Sequence, residues 1–264
     1  MEKNYQYQNI VRSRIATFDI FDIGLRKHHI NAILEFDVTE SRAQLHELRK
    51  NGTVISFNAW LIKVIGTVLK KHPEAASYIY SRKRLIMFND INVSLIVEKE
   101  IGNSKVPIPI VIEKTNEKSA YDITIEIENA KSQKLDIDNI VLKSRANTFQ
   151  TLYYHLPGFF RKLFWRILLR NPKLAFKTMG NVAVTSIGMI GRINGWFIHK
   201  SVHPISFGIA SIIKKPIVIE NKIEIREILN MTILVDHDII DGAPMVRLLN
   251  DLTNYIETGK EINA

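Results

Sequence analysis

Val235-Asp236-His237-Asp238-Ile239-Ile240-Asp241-Gly242-Ala243 joins an apolar run, Met231-Thr232-Ile233-Leu234-Val235, to an amphipathic segment from Gly242 to Glu257. The run is rich in β-branched residues and reads as a strand. The segment after it places Val246, Leu248, Leu249, Leu252, Tyr255 and Ile256 at helical spacing, as its buried face. A histidine therefore ends a buried strand. An aspartate follows four residues later, and then a glycine that lets the backbone turn sharply. An imidazole with its ordinary pKa near ~6.5 can take a proton at physiological pH, and the end of a buried strand aims it into a cleft without motion. Asp241 either caps the helix that follows or holds an arginine that braces the loop. Residue chemistry alone leaves open that His237 is structural or simply exposed, as most histidines are.

Working outward, Asn31–Thr39 alternates as a strand, and Thr39 caps a helix that Asn51-Gly52 ends. Ser56 caps a second helix over Phe57–Lys71, whose Trp60, Leu61, Val64, Ile65, Val68 and Leu69 recur at helical spacing; His72-Pro73 stops it. Ile91–Lys99 and Val106–Glu113 read as strands, the second an edge or bulged strand because of its two prolines. Ser119–Lys134 is read as a helix, although Ile123, Ile125 and Ile127 also fit a strand. Asn181–Ser186 is a short strand, and Ile205–Ile213, Lys215–Ile219 and Ile223–Ile228 are separate strands. Helices and strands mix without a βαβ rhythm, which predicts an α+β sandwich in one domain, residues 1–264, and argues against a doubly wound sheet.

Composition narrows the function. With 264 residues, 46% hydrophobic and 24% charged, the chain is neither disordered nor fibrous. It has no cysteine, which excludes disulfide frameworks, Cys-ligated zinc, iron–sulfur clusters and Cys nucleophiles. That fits a cytoplasmic location without proving it. Met1 to Arg14 is not a secretory signal, and no stretch approaches the ~18 apolar residues of a spanning helix. A soluble protein is expected, with at most a surface attachment to membrane. The net charge is +9, and the interval from Lys131 to Gly180 carries +8 of it: ten basic residues stand against Asp136 and Asp138. Basicity is thus local, and no nucleic-acid partner is expected.

His-x-x-x-Asp-Gly after an apolar strand resembles the active-site motif of the chloramphenicol acetyltransferase superfamily. It is most similar to the catalytic domain of the dihydrolipoamide acyltransferases of 2-oxo-acid dehydrogenase complexes, and Asp236 to Ala243 fits that pattern. Further segments resemble the family in order: Asn89 to Val97, Val106-Pro107-Ile108-Pro109-Ile110-Val111, Glu117-Lys118-Ser119 with its helix, Gly180-Asn181-Val182-Ala183-Val184-Thr185-Ser186-Ile187-Gly188-Met189-Ile190-Gly191, and Ile205 to Ala210. The likeness runs from about Arg14 to about Glu257, interrupted between Leu135 and Met179. It implies a chloramphenicol acetyltransferase-like two-layer sandwich, a mixed sheet with helices on one face. It implies His237 as general base and Thr185 as the hydroxyl that holds the oxyanion, with Ser186 as the alternative if the register slips by one. Asp241 resembles a structural brace paired with an N-terminal arginine, Arg14 first and Arg12 or Arg26 as alternatives. Coenzyme A is the implied acyl carrier, and a homotrimer with His and hydroxyl from different chains is the implied assembly.

Neither a lipoyl domain nor a subunit-binding domain is expected here, so a lipoyl group is expected to come from a partner protein. Its polar end, Gly259 to Ala264, lacks a hydrophobic tail, and a free trimer is expected over a large complex core. The acceptor stays open between a dihydrolipoamide-like thiol and, on the same fold, an amine or hydroxyl of a small metabolite. A non-catalytic assembly module is the third reading. The interval of about 135–179 is read as a basic, amphipathic helical insertion. In it, Pro157 opens a helix to Arg170, with Phe159, Phe160, Leu163, Phe164, Ile167 and Leu168 on one face and Arg161, Lys162 and Arg166 on the other. It packs on the domain or a neighbouring subunit, lies on a membrane surface through residues 152–172, or forms a basic mouth for CoA phosphates or an acidic partner. His28-His29 point opposite ways in a strand and make a poor metal pair. His199 and His203 lack nearby carboxylates, so no metal site is expected. Gly188-x-x-Gly191 is a turn and lacks the setting of a phosphate loop.

Overall fold

Apolar residues fill nearly every turn of the helix Phe57–Lys71, so it is stable only with neighbours on most sides. The computed structural model, which describes residues 5–8, 10, 13–24, 27–101, 104–132, 156–187 and 194–263, supplies them. In chain order the elements begin with α1 (Ser13–Gly24), β1 (His29–Asp37), α2 (Thr39–Lys50), α3 (Phe57–Lys71), and a small hairpin of β2 (Tyr78–Ser81) and β3 (Arg84–Ile86). Then come β4 (Val93–Ile101), β5 (Ser104–Ile112), α4 (Ala120–Ser132), α5 (Gly158–Arg170) and α6 (Pro172–Met179). The chain ends with β6 (Val182–Ser186), β7 (Ile205–Ile219), β8 (Lys222–Asp236) and α7 (Gly242–Glu257).

Six strands form one mixed sheet in the order β1-β8-β7-β6-β4-β5, with β7, β6 and β4 parallel and the other pairs antiparallel. One face, with Val93, Val184, Phe207, Ile233 and their neighbours, packs on α3, α4 and α7 to make the main core. The architecture is α+β, as the sequence predicts. The one lysine buried in α3, Lys63, escapes an unpaired burial. Its ammonium donates to the Asn116 carbonyl at 3.1 Å and lies 3.5 Å from the Glu261 carboxylate.

Several local expectations change. Thr39 does not cap α2; Val38 holds that position, and the Thr39 hydroxyl donates to Asp37 at 2.6 Å and accepts from the Glu227 amide at 2.8 Å. Ser56 does cap α3, accepting from the Ala59 amide at 3.2 Å. The helical choice for the segment after Ser119 holds, since Ile123 and Ile127 are buried while Ile125 is exposed. The four short strands expected between Ile205 and Asp236 are two long ones, β7 and β8, paired down to Ile219↔Lys222 with a bulge between Ile209 and Ile212. Polar and proline interruptions at Lys214, Pro216 and Asn230 do not end them, because Lys214 and Pro216 are held by Glu227 and Ile225 across the hairpin and Asn230 pairs with Glu35 of β1. Val246, expected inside, is exposed on α7. Helix α1 and the β2–β3 hairpin carry no signal that the sequence reading registers. Of the expected insertion, residues 133–155 lie outside the described residues. Among the described residues no helix is long and apolar enough to cross a membrane.

The strand that bears Thr185 is set by Gly180. Its φ of 72° and ψ of −170° belong to glycine alone, and a Cβ there would sit 2.3 Å from the Asn92 carbonyl oxygen. The next residue, Asn181, accepts from the Asn92 amide at 2.9 Å, so the entry of β6 is clamped to the entry of β4. Gly180→Ala is expected to destabilise the fold by at least about 2 kcal/mol, read as a lower urea midpoint. A midpoint equal to the parent's would contradict this.

Candidate active site

Asp236 ends β8 in the core, 1% exposed, and a buried carboxylate requires a cation. Lys27, just before β1, provides it in a close ion pair. Asp236 also organises the turn that follows: its carboxylate accepts from the Asp238 amide at 3.3 Å, and its carbonyl accepts from the Ile239 amide at 3.0 Å. The His237 amide donates to the His28 carbonyl at 2.9 Å, which ties the turn to the start of β1. An exposed pair, His28 with Asp238 at 3.0 Å, lies on the rim.

The His237 ring therefore hangs on a rigid turn and is half exposed, 51%. Its Nδ1 donates to the Ile240 carbonyl at 3.2 Å. A carbonyl can only accept, so this bond selects the tautomer with the proton on Nδ1 and leaves Nε2 with its lone pair. Asp241, 90% exposed, has an oxygen 3.8 Å from the same Nδ1. It is the N-cap residue of α7 by position, but its side chain makes no capping bond. Arg14 lies exposed on α1 and is not joined to Asp241 in the single chain. The aspartate that does receive a cation is Asp236, from Lys27. Sequence reasoning missed Lys27, because the partner of a buried aspartate is chosen by the β1–β8 register, 209 residues away.

Thr185 lies on the other face of the sheet from the core. Val182 and Val184 point into the core, so the alternation of a strand sends Ala183 and Thr185 to the opposite side and Ser186 back toward the core side. Thr185 is level with Gly208 on β7, and Gly208 with Thr232 on β8. His237 is five positions beyond Thr232, a run of about 17 Å along the strand, and two strand spacings of about 5 Å to the side. Within one chain the two residues are thus too far apart along the sheet to act on one thioester.

The sheet face around Thr185 is covered by the segment leading into β7. Trp196 donates to the Leu34 carbonyl at 2.8 Å, Asn230 donates to the Gly195 carbonyl at 3.2 Å, and His199 Nε2 bonds Ser206 Oγ at 2.8 Å. The His199 ring lies directly over Gly208, with its Nδ1 2.7 Å from where a Cβ would be, which is why that position has no side chain. His203 is fully enclosed; its Nε2 donates to the Met179 carbonyl at 2.9 Å, and His29 donates to the His203 carbonyl at 3.1 Å. Among the described residues no three His, Asp or Glu side chains converge as a metal site requires.

Burial pushes the pKa of both His199 and His203 down to about 4, and it also lowers His29. A folded pKa below the unfolded value of 6.5 means that the unfolded chain binds more protons between those limits. The stability these neutral rings allow is complete above about pH 6.5 and is lost as pH falls toward 4, by up to about 1.4 kcal/mol per pH unit for each ring. Urea midpoints are expected to fall clearly between pH 7 and pH 5. A flat profile would count against both rings being neutral.

The chain matches a family model described as 2-oxoacid dehydrogenases acyltransferase (catalytic domain) over residues 26–140 and 168–263. The lipoamide acyltransferase component of the branched-chain alpha-keto acid dehydrogenase complex of Bacillus subtilis is 23% identical over 236 residues, 87% of this chain and 47% of that protein. The dihydrolipoyllysine-residue acetyltransferase component of the pyruvate dehydrogenase complex of Mycoplasma genitalium is 26% identical over 213 residues, 80% of this chain and 46% of that protein. The chain thus spans about half the length of these curated relatives. Among solved structures, a probable dihydrolipoamide acetyltransferase from Listeria monocytogenes superposes with a TM-score of 0.69 at 20% identity, covering 99% of this chain and 98% of that one. A chloramphenicol acetyltransferase superposes with a TM-score of 0.54 at 11% identity, covering 97% and 100%.

Proposed function

Since the chain belongs to the family of 2-oxoacid dehydrogenase acyltransferase catalytic domains, we propose that it moves an acyl group between coenzyme A and a thiol of the dihydrolipoamide type. The observation that carries this reading is the His237 ring: half exposed, held by its Nδ1 bond to Ile240, with a free lone pair on Nε2. Nε2 takes the proton of the attacking thiol. The thiolate sulfur bonds to the thioester carbonyl carbon, and the carbonyl π pair moves onto oxygen. That oxyanion accepts a hydrogen bond from the Thr185 hydroxyl. Collapse of the tetrahedral adduct breaks the old carbon–sulfur bond, and the departing thiolate recovers the proton from the imidazolium.

The two groups lie far apart along the sheet in one chain, so this chemistry requires His237 from one copy and Thr185 from another. A homotrimer is the assembly we infer. The tip of the β7–β8 hairpin supports it: Val218, Ile223 and Ile225 stand 70–77% exposed, an apolar surface suited to contact between copies. The lipoyl group would be presented to this site on a lipoyl domain. Asp241, beside the ring, is assigned to positioning the histidine-bearing turn in the assembled oligomer, with Arg14 of α1 as its candidate cation.

Acetyl-CoA and free dihydrolipoamide test the reading directly. Thioester formation on the dithiol, with release of CoA, is the expected result. Transfer to an alcohol or amine and to no thiol would overturn the proposed acceptor, and no transfer from acetyl-CoA to any acceptor would overturn the reading itself.

A further inference from the structure

Helix α5 has two apolar faces, and the fold covers one of them. Phe164, Trp165 and Leu168 pack into a satellite core with Tyr78, Phe88 and Phe176. The face expected from sequence as a single stripe is therefore split. Its other part, Phe159, Phe160, Leu163 and Ile167, is 73%, 53%, 40% and 56% exposed. At 100° per residue these four share an arc of about 120° with Arg166 and Arg170.

The charge around that arc is uncompensated. Residues 156–181 contain no Asp or Glu. Arg161 and Lys162 are neutralised by α1, through Asp19 at 2.8 Å and Asp22 at 2.9 Å. These two pairs hold α5 on the fold and fix which face turns outward. Arg166, Arg170, Lys173 and Lys177 meet no carboxylate among the described residues. The β2–β3 hairpin, which shares the satellite core, adds exposed Arg82, Lys83 and Arg84 at its turn.

We propose that the outward face of α5 docks on an anionic lipid surface. Phe159 and Phe160 enter the boundary between headgroups and acyl chains, and the neighbouring arginines and lysines meet the lipid phosphates. The helix has 13 residues and a length of about 20 Å, too short to cross a bilayer, so it lies in the plane of the surface. A second copy of the chain fits the face poorly, because a self-complementary contact would bring the same unpaired cations against each other. An anionic surface satisfies the apolar stripe and the charge together. This docking is independent of the acyl chemistry.

Co-sedimentation of the full chain with vesicles tests it. Binding to phosphatidylcholine vesicles containing 30% phosphatidylglycerol, and far weaker binding to phosphatidylcholine alone, is expected. Near the surface each basic residue is worth a factor of about 5, so Arg166→Glu with Arg170→Glu is expected to weaken binding at least about 25-fold. Phe159→Ser with Phe160→Ser is expected to weaken it at least about tenfold. All four positions are exposed, so the circular dichroism melting of both double variants should match the parent. Two results would overturn the proposal: parent protein that stays in the supernatant with both vesicle types, or double variants that pellet as the parent does. So would a drop in oligomer mass in either variant by light scattering with no vesicle binding by the parent, which would assign the face to a second copy.

Discussion

His237→Ala is expected to lower the rate of acetyl transfer from acetyl-CoA to dihydrolipoamide by about 10³, within the range of 10²–10⁴ typical of a lost general base. A thiol at neutral pH is mostly protonated, and the attacking species is the thiolate. Without a base in reach, that fraction limits the reaction. The effect should fall on turnover and leave the fold intact, because the ring is half exposed and the turn beneath it is held by backbone bonds and by Lys27–Asp236. Thermal melting of the variant should match the parent. A variant that keeps a tenth or more of the parent rate would remove His237 from the role of base.

The second large effect concerns Thr185. Thr185→Val keeps the shape and removes the hydroxyl, and a loss of about 10²–10³ in turnover is expected for one oxyanion donor. Thr185→Ser should recover most of it. Ser186→Ala should be nearly silent, since the alternation of β6 turns Ser186 to the core side. The separation of Thr185 from His237 within one chain adds a sharper test. When the inactive His237→Ala and Thr185→Val chains are unfolded, mixed in equal amounts and refolded together, roughly a quarter of the sites in a random cyclic trimer combine the intact histidine with the intact hydroxyl. Activity should return to about that fraction of the parent rate. No recovery in mixed oligomers would mean that both groups belong to a single chain's site or that one of them is misassigned.

Much of the fold is written in local pattern. The helix Phe57–Lys71 is legible because its apolar residues recur at helical spacing between a serine cap and a proline stop, and the structure keeps both ends. The helix after Ser119 is legible for the same reason once Ile125 is allowed to face solvent. The reading of Val106–Glu113 as an edge or bulged strand follows from two prolines that cannot donate to a ladder on both sides, and β5 is at the sheet edge. Elements whose stability comes from distant partners are not legible in this way. The strands β7 and β8 run through Pro216 and Asn230 because each pairs with the other over thirteen registered positions. The short β2–β3 hairpin holds because Tyr78 and Phe88 pack on α6.

At the site, the histidine after an apolar strand and the aspartate and glycine beyond it stand out from residue type and order along the chain, whereas the hydroxyl pair before Gly188 is named only through the resemblance to the family. Distance and orientation belong to pairings between residues far apart in the chain, and only the folded arrangement settles them. It pairs the buried Asp236 with Lys27, turns Thr185 rather than Ser186 away from the core, separates Thr185 from His237 along the sheet, and leaves half of an aromatic helix facing water. Side-chain periodicity is a property of neighbours in sequence; which strand lies beside which, and which charge meets which, is a property of packing.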